Sequence, residues 1–195
     1  MAKKSTRNTR GRIVSAAWKL FYEQGYEDTT VEEIIELSGT SKGSFYHYFD
    51  GKDALLSTLS SLFDEKYEEL TGLLTPEMTA MEQLLFLNRE LFHMIEDSIS
   101  LDLLARLYST QLTTSGEKHL LDHNRIYYKL LRRIIARGQE KGELDSKSSV
   151  SEMVKLYALA ERALMYDWCL CGGEYSLRKY SADIMPGFLS SFLPK

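Results

Sequence analysis

The chain has 195 residues, 27% of them charged, and a net charge of −4 at pH 7. It contains only two cysteines, Cys169 and Cys171, and shows neither a secretory signal peptide nor a long uncharged apolar run. These features argue against a secreted or membrane protein, so we expect a cytoplasmic protein with reduced thiols and no membrane partner.

The charge is distributed unevenly along the chain. Residues 1–19 carry six basic side chains and no acidic one, and residues 1–52 together are +1 although the whole chain is −4. A basic N-terminal segment on an acidic protein is typical of an end that meets nucleic acid. We expect residues 1–6 of this segment to be flexible.

Three short helices are predicted within the first 50 residues. The first carries apolar residues at helical spacing up to Phe21 and ends at Gly25, where Tyr26 can fold back on Phe21. Thr30 and Glu33 form a capping-box pattern that starts the second helix at Val31.

A glycine turn joins the second helix to the third. Gly39 stands where a positive φ is favourable, and Thr40 or Ser41 can cap the following helix, which should end near Phe49 before Asp50 and Gly51. Two helices joined in this way are typical of a helix-turn-helix, whose second helix enters the DNA major groove. The expected core of the three helices is Ile13, Trp18, Phe21, Ile34, Leu37, Phe45 and Phe49.

The third helix has two different faces on a helical wheel. Phe45 and Phe49 are four residues apart and form the core side, whereas Gly43 and His47 point directly away. Ser44 and Tyr46 flank this outward face, and Lys42 and Tyr48 lie nearer its edges. The small, hydrogen-bonding and basic side chains suit contact with base edges and phosphates, and Lys52 is positioned for a phosphate.

These residues resemble the DNA-binding domain of the TetR/AcrR family of bacterial transcriptional regulators. The resemblance covers about residues 6–60 and rests on Gly25-Tyr26, Thr29-Thr30, Ile34, Gly39, the run from Ser41 to Phe49, and Lys52. It implies that Thr30, Tyr48 and Lys52 bind phosphates. It also implies groove-facing roles for Lys42, Gly43, Ser44, Tyr46 and His47, and Ser41 completes the candidate DNA-binding set.

The rest of the chain is predicted to be helical, so the fold class is all-α. An apolar stripe over residues 53–74 predicts one helix of about 20 residues, roughly 30 Å long, which would act as a lever between domains. Further helices are expected at about 79–96, 99–113, 117–141, 150–171 and 176–193. We place the DNA-binding domain at 1–52 and a larger helical effector-binding and dimerisation domain at 53–195.

The last two helices are the expected dimer surface. Residues 153–170 are apolar nearly all round, which predicts burial on every side, and Pro186-Gly187 should kink or interrupt the last helix. An ordinary intrachain core is the alternative, but the resemblance implies a four-helix interface in a homodimer. The candidate contacts are Leu156, Leu159, Ala163, Leu177, Tyr180, Ile184 and Phe188.

The function implied by the resemblance is that of a ligand-responsive regulator. It would be a homodimeric repressor that a small, largely apolar effector releases from a near-palindromic DNA operator. The pattern does not separate pocket residues from core. A constitutive or architectural DNA-binding dimer without an effector is the main alternative, and a helical enzyme with an unrecognised site is the second.

Other chemistry has weak support in the sequence. His119 and His123, four residues apart on a predicted helix, have the spacing of metal ligands, but this spacing often arises by chance on a polar helix face. A phosphate-binding glycine loop, a nucleophile elbow and a zinc-protease motif are all missing from the sequence. We therefore expect neither an enzyme nor a bound metal or cofactor.

Overall fold

The computed structural model describes residues 3–113 and 118–194, with the backbone alone for residues 3–8. Its α-helices are α1 (Lys3–Gln24), α2 (Val31–Ser38), α3 (Lys42–Tyr48), α4 (Lys52–Leu56), α5 (Leu59–Thr71), α6 (Ala80–Ser98), α7 (Leu101–Thr113), α8 (Ile126–Glu140), α9 (Val150–Leu170) and α10 (Leu177–Leu189). Two 3₁₀ helices cover His119–Leu121 and Ser190–Phe192. The described ranges contain no β-strand, and the predicted all-α class is confirmed.

The described residues form two compact units. One falls within residues 1–61 and 99–119 and therefore combines α1–α4 with α7, whereas the other falls within 62–98 and 120–195. The division differs from the sequence-based boundary at residue 52, because α7 packs against α4. Arg106 of α7 also pairs with Glu27 and lies over the Tyr26 ring, 4.8 Å from its centroid.

The predicted start and stop signals of the first three helices are confirmed. Gly25 has φ +88° and donates its N–H to the Phe21 carbonyl, and the Tyr26 ring lies 5.0 Å from the Phe21 ring. Thr30 and Glu33 form the reciprocal capping box at the start of α2, and Gly39 ends that helix with φ +61°. Local chemistry therefore determines where these elements begin and end.

Most of the predicted core of this unit is buried. Ile13, Phe21, Ile34, Phe45 and Phe49 are at most 4% exposed, while Trp18 is half-buried. The prediction for Leu37 was wrong, because its side chain is 45% exposed. The inward face of α2 consists of Ile34 and Ser38, four residues apart, and Leu37 is rotated about 100° away from Ser38.

The single long helix predicted for residues 53–74 is also wrong. The chain forms α4 and α5 with a break at Ser57-Thr58, where the Thr58 N–H bonds to the carbonyl of Leu55 rather than one turn further back. The Ser57 and Thr58 hydroxyls donate to the Ala54 and Leu55 carbonyls at 2.7 and 2.6 Å. These hydroxyls compete with the helical backbone pattern, and the Trp18 indole N–H holds Thr58 in place by donating to its Oγ1 at 2.9 Å.

Only the later part of the predicted helix 117–141 is α-helical. Residues 114–117 lie outside the described residues, and α8 begins at Ile126. An Asp122 carboxylate oxygen accepts the Asn124 N–H at 2.8 Å, which makes a turn, and Asp64 pairs with Arg125 at 2.9 Å where α8 starts. His119 and His123 therefore do not share an α-helix.

The second unit is built around α6. This helix packs against α8 and α10, and α9 packs against α8 and α10. The predicted interruption at Pro186 does not occur, since α10 continues through it to Leu189. Pro186 and Ala182 are both exposed, so that water can bond the Ala182 carbonyl that loses its helical partner.

Candidate nucleic-acid interface

The α3 helix has a buried and an exposed face, as the wheel predicted. Phe45 and Phe49 are buried, and their ring centroids are 5.9 Å apart. The exposed positions are Lys42, Gly43, Tyr46 and His47, with Ser44 and Tyr48 half-buried beside them. The two phenylalanines therefore anchor α3 so that the candidate contacts point outward, while the DNA contact itself stays a prediction.

Ser41 is the residue that caps α3. Its hydroxyl accepts the Ser44 backbone N–H at 3.1 Å, and the two serine hydroxyls are 2.9 Å apart. A hydroxyl can donate once and accept twice, so each serine keeps capacity for another hydrogen bond. Ser41 is therefore the N-cap of α3, the helix that carries the exposed face.

The Lys42 side chain links α3 to α2. Its Nζ is 3.6 Å from a Glu32 carboxylate oxygen and 6.0 Å from the centroid of the Tyr46 ring. Both members of the pair are exposed, and such surface pairs are weak and salt-sensitive. The Lys42 ammonium group can therefore leave Glu32 and bind a phosphate with little loss of free energy.

Thr30 is engaged in the helix cap. Its hydroxyl donates to a Glu33 carboxylate oxygen at 2.8 Å and accepts the Glu33 N–H at 3.2 Å. The hydrogen bonds from the Thr30 backbone and hydroxyl hold the pKa of Glu33 below its usual value. Thr30 is exposed, but its single hydroxyl proton points to Glu33, so a phosphate would have to compete for it.

Lys52 has a different environment from the one we predicted. Its ammonium group donates to the carbonyls of Tyr26, Glu27 and Thr29 at 2.6, 3.2 and 2.9 Å. It also lies 4.3 Å from the centroid of the Tyr26 ring. An ammonium has three donors, so the phosphate role is not supported in this conformation, and Lys52 instead fastens the segment between α1 and α2.

Two arginines of α1 add positive charge beside the motif. The Arg10 guanidinium lies over the Phe49 ring at 5.5 Å, and both Arg10 and Arg12 are exposed. The sequence placed them in the basic segment but did not include them among the site residues. The side chains of Lys3, Lys4 and Arg7 lie outside what the structure describes. Of residues 1–6, which we expected to be flexible, the backbone of residues 3–6 belongs to α1, and residues 1 and 2 lie outside the described residues.

The expected dimer surface is largely exposed in the single chain. Leu156, Leu159 and Ala163 on α9 and Tyr180 and Ile184 on α10 are exposed, so the alternative of an ordinary intrachain core does not account for these five residues. The dimer contact itself stays a prediction. Two other candidates differ from these. Leu177 is fully buried in the core and cannot contact a partner, and Phe188 is half-buried against Phe192.

A buried polar cluster in the second unit was missed by the sequence reasoning. Glu161 of α9 is 2% exposed and accepts hydrogen bonds from the Tyr127 hydroxyl at 2.7 Å, the Tyr67 hydroxyl at 3.4 Å and the Asn88 amide at 3.1 Å. Burial raises the pKa of Glu161, and the hydrogen bonds from Tyr127 and Asn88 oppose this rise. Glu161 lies on the buried face of α9, four residues after Tyr157. A carboxylate at a position that helical spacing assigns to the buried face could have indicated this cluster from the sequence.

In the described part of the chain, no three His, Cys, Asp or Glu side chains converge in a way that could hold a metal ion. None of the helices in this part combines the length and the apolar character needed to cross a bilayer.

A family model, bacterial regulatory proteins of the tetR family, matches residues 13–59. An uncharacterised HTH-type transcriptional regulator from Lactococcus lactis is 39% identical over 56 residues, which are 28% of this chain and 29% of that protein. The regulator CymR from Pseudomonas putida is 28% identical over 124 residues, 60% of each chain. For the Lactococcus protein and several others, the match spans about a third of the relative's length.

The likeness extends to solved structures over nearly the whole chain. FadR from Thermus thermophilus, described as a TetR-family transcriptional repressor in complex with lauroyl-CoA, is 25% identical with a TM-score of 0.74. The match covers 95% of this chain and 96% of that one. The capped helix pair and the anchored α3 lie within the matched residues 13–59, and these residues form an N-terminal domain of the tetR family of bacterial regulatory proteins.

Proposed function

We propose that this protein is a DNA-binding transcriptional regulator that reads a DNA operator with α3. The observation that carries the proposal is the exposed face of Lys42, Gly43, Tyr46 and His47, held outward by buried Phe45 and Phe49. Ser44 and Tyr48 border this face, while Ser41 and Thr30 cap the two helices. Such a role places the protein in the cytoplasm, where the DNA is.

Gly43 supports this proposal because the fold itself does not need a glycine there. A Cβ at position 43 would meet nothing closer than the Ser41 Oγ at 4.0 Å, and Gly43 has no positive φ. Glycine inside a helix costs about 1 kcal/mol relative to alanine. A close approach by another molecule, as in a DNA groove, explains why this position lacks a side chain.

We expect Gly43→Ala to have opposite effects on folding and on DNA binding. The free energy of unfolding should rise by about 0.5–1 kcal/mol, since alanine favours the helix and nothing obstructs its methyl group. Affinity for operator DNA should fall, because the methyl group occupies the face of closest approach. Chemical denaturation and gel shift on the same preparation measure the two effects, and an affinity equal to that of the wild type would contradict the groove-facing role.

The proposed function is tested by gel shift against the DNA that flanks the protein's own gene. Tyr46→Ala should weaken binding by about 10- to 100-fold, as expected for one base or phosphate contact at the centre of the interface. Tyr22→Ala is the matched control, because Tyr22 is an exposed tyrosine of α1 outside the proposed face. If the Tyr46 variant binds as tightly as the control, the assignment of α3 as the reading helix fails.

We further propose a homodimer formed by the exposed strip of Leu156, Leu159, Ala163, Tyr180 and Ile184. The two reading helices of a two-fold dimer would lie about one DNA turn apart, roughly 34 Å, which favours a near-palindromic operator. Exposed apolar side chains on two adjacent helices support this proposal, because they would leave water on association.

Leu159→Glu is expected to convert the dimer to a monomer. The substitution would bury a charge in an apolar interface, and sedimentation velocity at micromolar concentration measures the result. Leu112→Glu on α7 is the control, since Leu112 is also an exposed leucine, 69% accessible, but lies outside the strip. A Leu159 variant that sediments like this control would refute the proposed interface.

The proposed mode of regulation is repression relieved by a small, largely apolar effector bound in the second unit. An effector acts only through a difference in its affinity for the DNA-bound and the free protein, so effector and operator must weaken each other's binding. The Thermus protein in complex with lauroyl-CoA supports an effector with an apolar portion. Simultaneous binding of both partners without mutual effect would favour a constitutive DNA-binding dimer.

A further inference from the structure

An open groove lies between α6 and α10 within the second unit. It encloses about 620 Å³, which falls within the range of about 300–1,000 Å³ found for small-molecule sites. Its apolar wall consists of Met78, Leu85, Phe86, Ala182, Met185 and Pro186. The groove therefore has the size and the wall of a ligand site, although neither the motifs nor the family match pointed to it.

The floor of the groove is polar, and its polar groups form hydrogen bonds with one another. Ser181 and Asn88 are at most 2% exposed, and the Ser181 hydroxyl donates to the Asn88 Oδ1 at 2.5 Å. The Asn88 amide donates in turn to Glu161 at 3.1 Å. Because these groups satisfy one another, a ligand can place an apolar body over them without breaking a hydrogen bond.

The rim of the groove is negatively charged. Glu77 and Glu82 line it and are exposed, and hydrogen bonds to Thr75 and Thr79 keep the pKa of each carboxyl below its usual value. Arg89 is the cation among the lining residues, but its guanidinium is paired with Glu90 at 3.0 Å and lies over the Phe86 ring. Among the lining residues, two carboxylates therefore outnumber one guanidinium, and that guanidinium also has Glu90 as a partner.

We infer that this groove binds a small apolar amine, with its hydrocarbon body along the wall of Phe86 and Met185 and its ammonium group at Glu77 and Glu82. Apolar contact supplies most of the affinity, and the rim selects positive charge over negative charge. The same rim disfavours an acyl-CoA, whose phosphates carry several negative charges. The inference rests on the proposed function only in taking the amine as the effector.

Isothermal titration calorimetry of the full chain with octylamine, 1-octanol and octanoate tests this inference, since the three probes share a chain length and differ in charge. At low salt and neutral pH we expect octylamine to bind about fivefold or more tightly than octanoate, with 1-octanol between them. Octanoate binding as tightly as octylamine, or no binding of octylamine, would overturn the inference.

Two sets of variants locate the binding in the groove. Ala182→Trp fills the groove from an exposed position and should weaken octylamine binding by about tenfold or more, whereas Glu140→Trp, exposed on α8 and off the groove, should leave it unchanged. The double variant Glu77→Gln, Glu82→Gln leaves the wall intact and should reduce the preference for octylamine over octanoate to about twofold or less. Retention of full octylamine affinity by the Ala182 variant would place the binding elsewhere.

Gel shift separates this inference from the proposed function. Octylamine should release the wild-type protein from operator DNA but have little effect on the Ala182→Trp variant. A protein that binds octylamine in the groove but binds no DNA would refute the proposed function and leave the site in place. A protein that binds DNA and ignores all three probes would refute the site alone.

Discussion

Replacing Glu161 by alanine should lower the free energy of unfolding by about 3–5 kcal/mol. The Tyr127 and Tyr67 hydroxyls and the Asn88 amide would lose their common acceptor in the core of the second unit. Each buried donor left without a partner costs about 1–3 kcal/mol, and the truncated side chain leaves a cavity as well. Urea denaturation followed by circular dichroism measures the loss.

Glu161→Gln is the matched variant, because it keeps the shape and a carbonyl acceptor but removes the charge. Since burial raises the pKa of Glu161, the folded protein binds this proton more tightly than the unfolded chain does. The stability that the carboxyl contributes is therefore fully present below its unfolded pKa and is lost as the pH rises through its folded pKa. Wild type should gain stability relative to the glutamine variant as the pH falls from about 7 to about 5, and a constant difference would contradict the raised pKa.

Gly138→Ala should destabilise the second unit by about 1–3 kcal/mol, although alanine is the better helix former. A Cβ at position 138 of α8 would lie 2.6 Å from the Ala80 Cβ and 2.8 and 2.9 Å from Leu144 Cδ1 and Cγ. Ala80 and Leu144 are both buried, and an alanine methyl group has no rotamer by which to move away. The close approach of α8 to the start of α6 therefore depends on this glycine.

Gly11→Ala is the control for this effect, because Gly11 also lies within a helix but a Cβ there would meet nothing within 4 Å. This variant should be more stable than the wild type by about 0.5–1 kcal/mol, since only the helix propensity changes. Thermal or chemical denaturation of both variants gives the comparison. If the two substitutions shift stability in the same direction, the steric explanation for Gly138 is wrong.

The features that could be predicted from the sequence are those produced by nearby residues. The cap at Thr30 depends on Glu33, the turn at Gly39 on its own backbone freedom, and the anchoring of α3 on Phe45 and Phe49 four residues apart. Each of these interactions acts within one helical turn. A pattern read over a few residues therefore contains all the information that is needed.

The features that could not be predicted depend on partners distant in the chain. The Lys52 ammonium group donates to carbonyls 23–26 residues earlier in the chain, and the Glu161 carboxylate accepts hydrogen bonds from residues as far as 94 positions away. The exposure of Leu159 on an apolar helix likewise depends on which faces other helices cover. Periodicity identifies an apolar face but does not say which molecule covers it.

The hydrogen bond from the Trp18 indole to Thr58 makes the break after α4 observable by tryptophan fluorescence. Only two tryptophans are present in the chain, and the other, Trp168, donates its indole N–H to the Tyr175 carbonyl within the second unit. Each compact unit therefore contains its own fluorophore in a defined polar environment. With Trp168 replaced by phenylalanine, the emission maximum of Trp18 would report whether residues 57–58 keep the break between α4 and α5 or become part of one continuous helix.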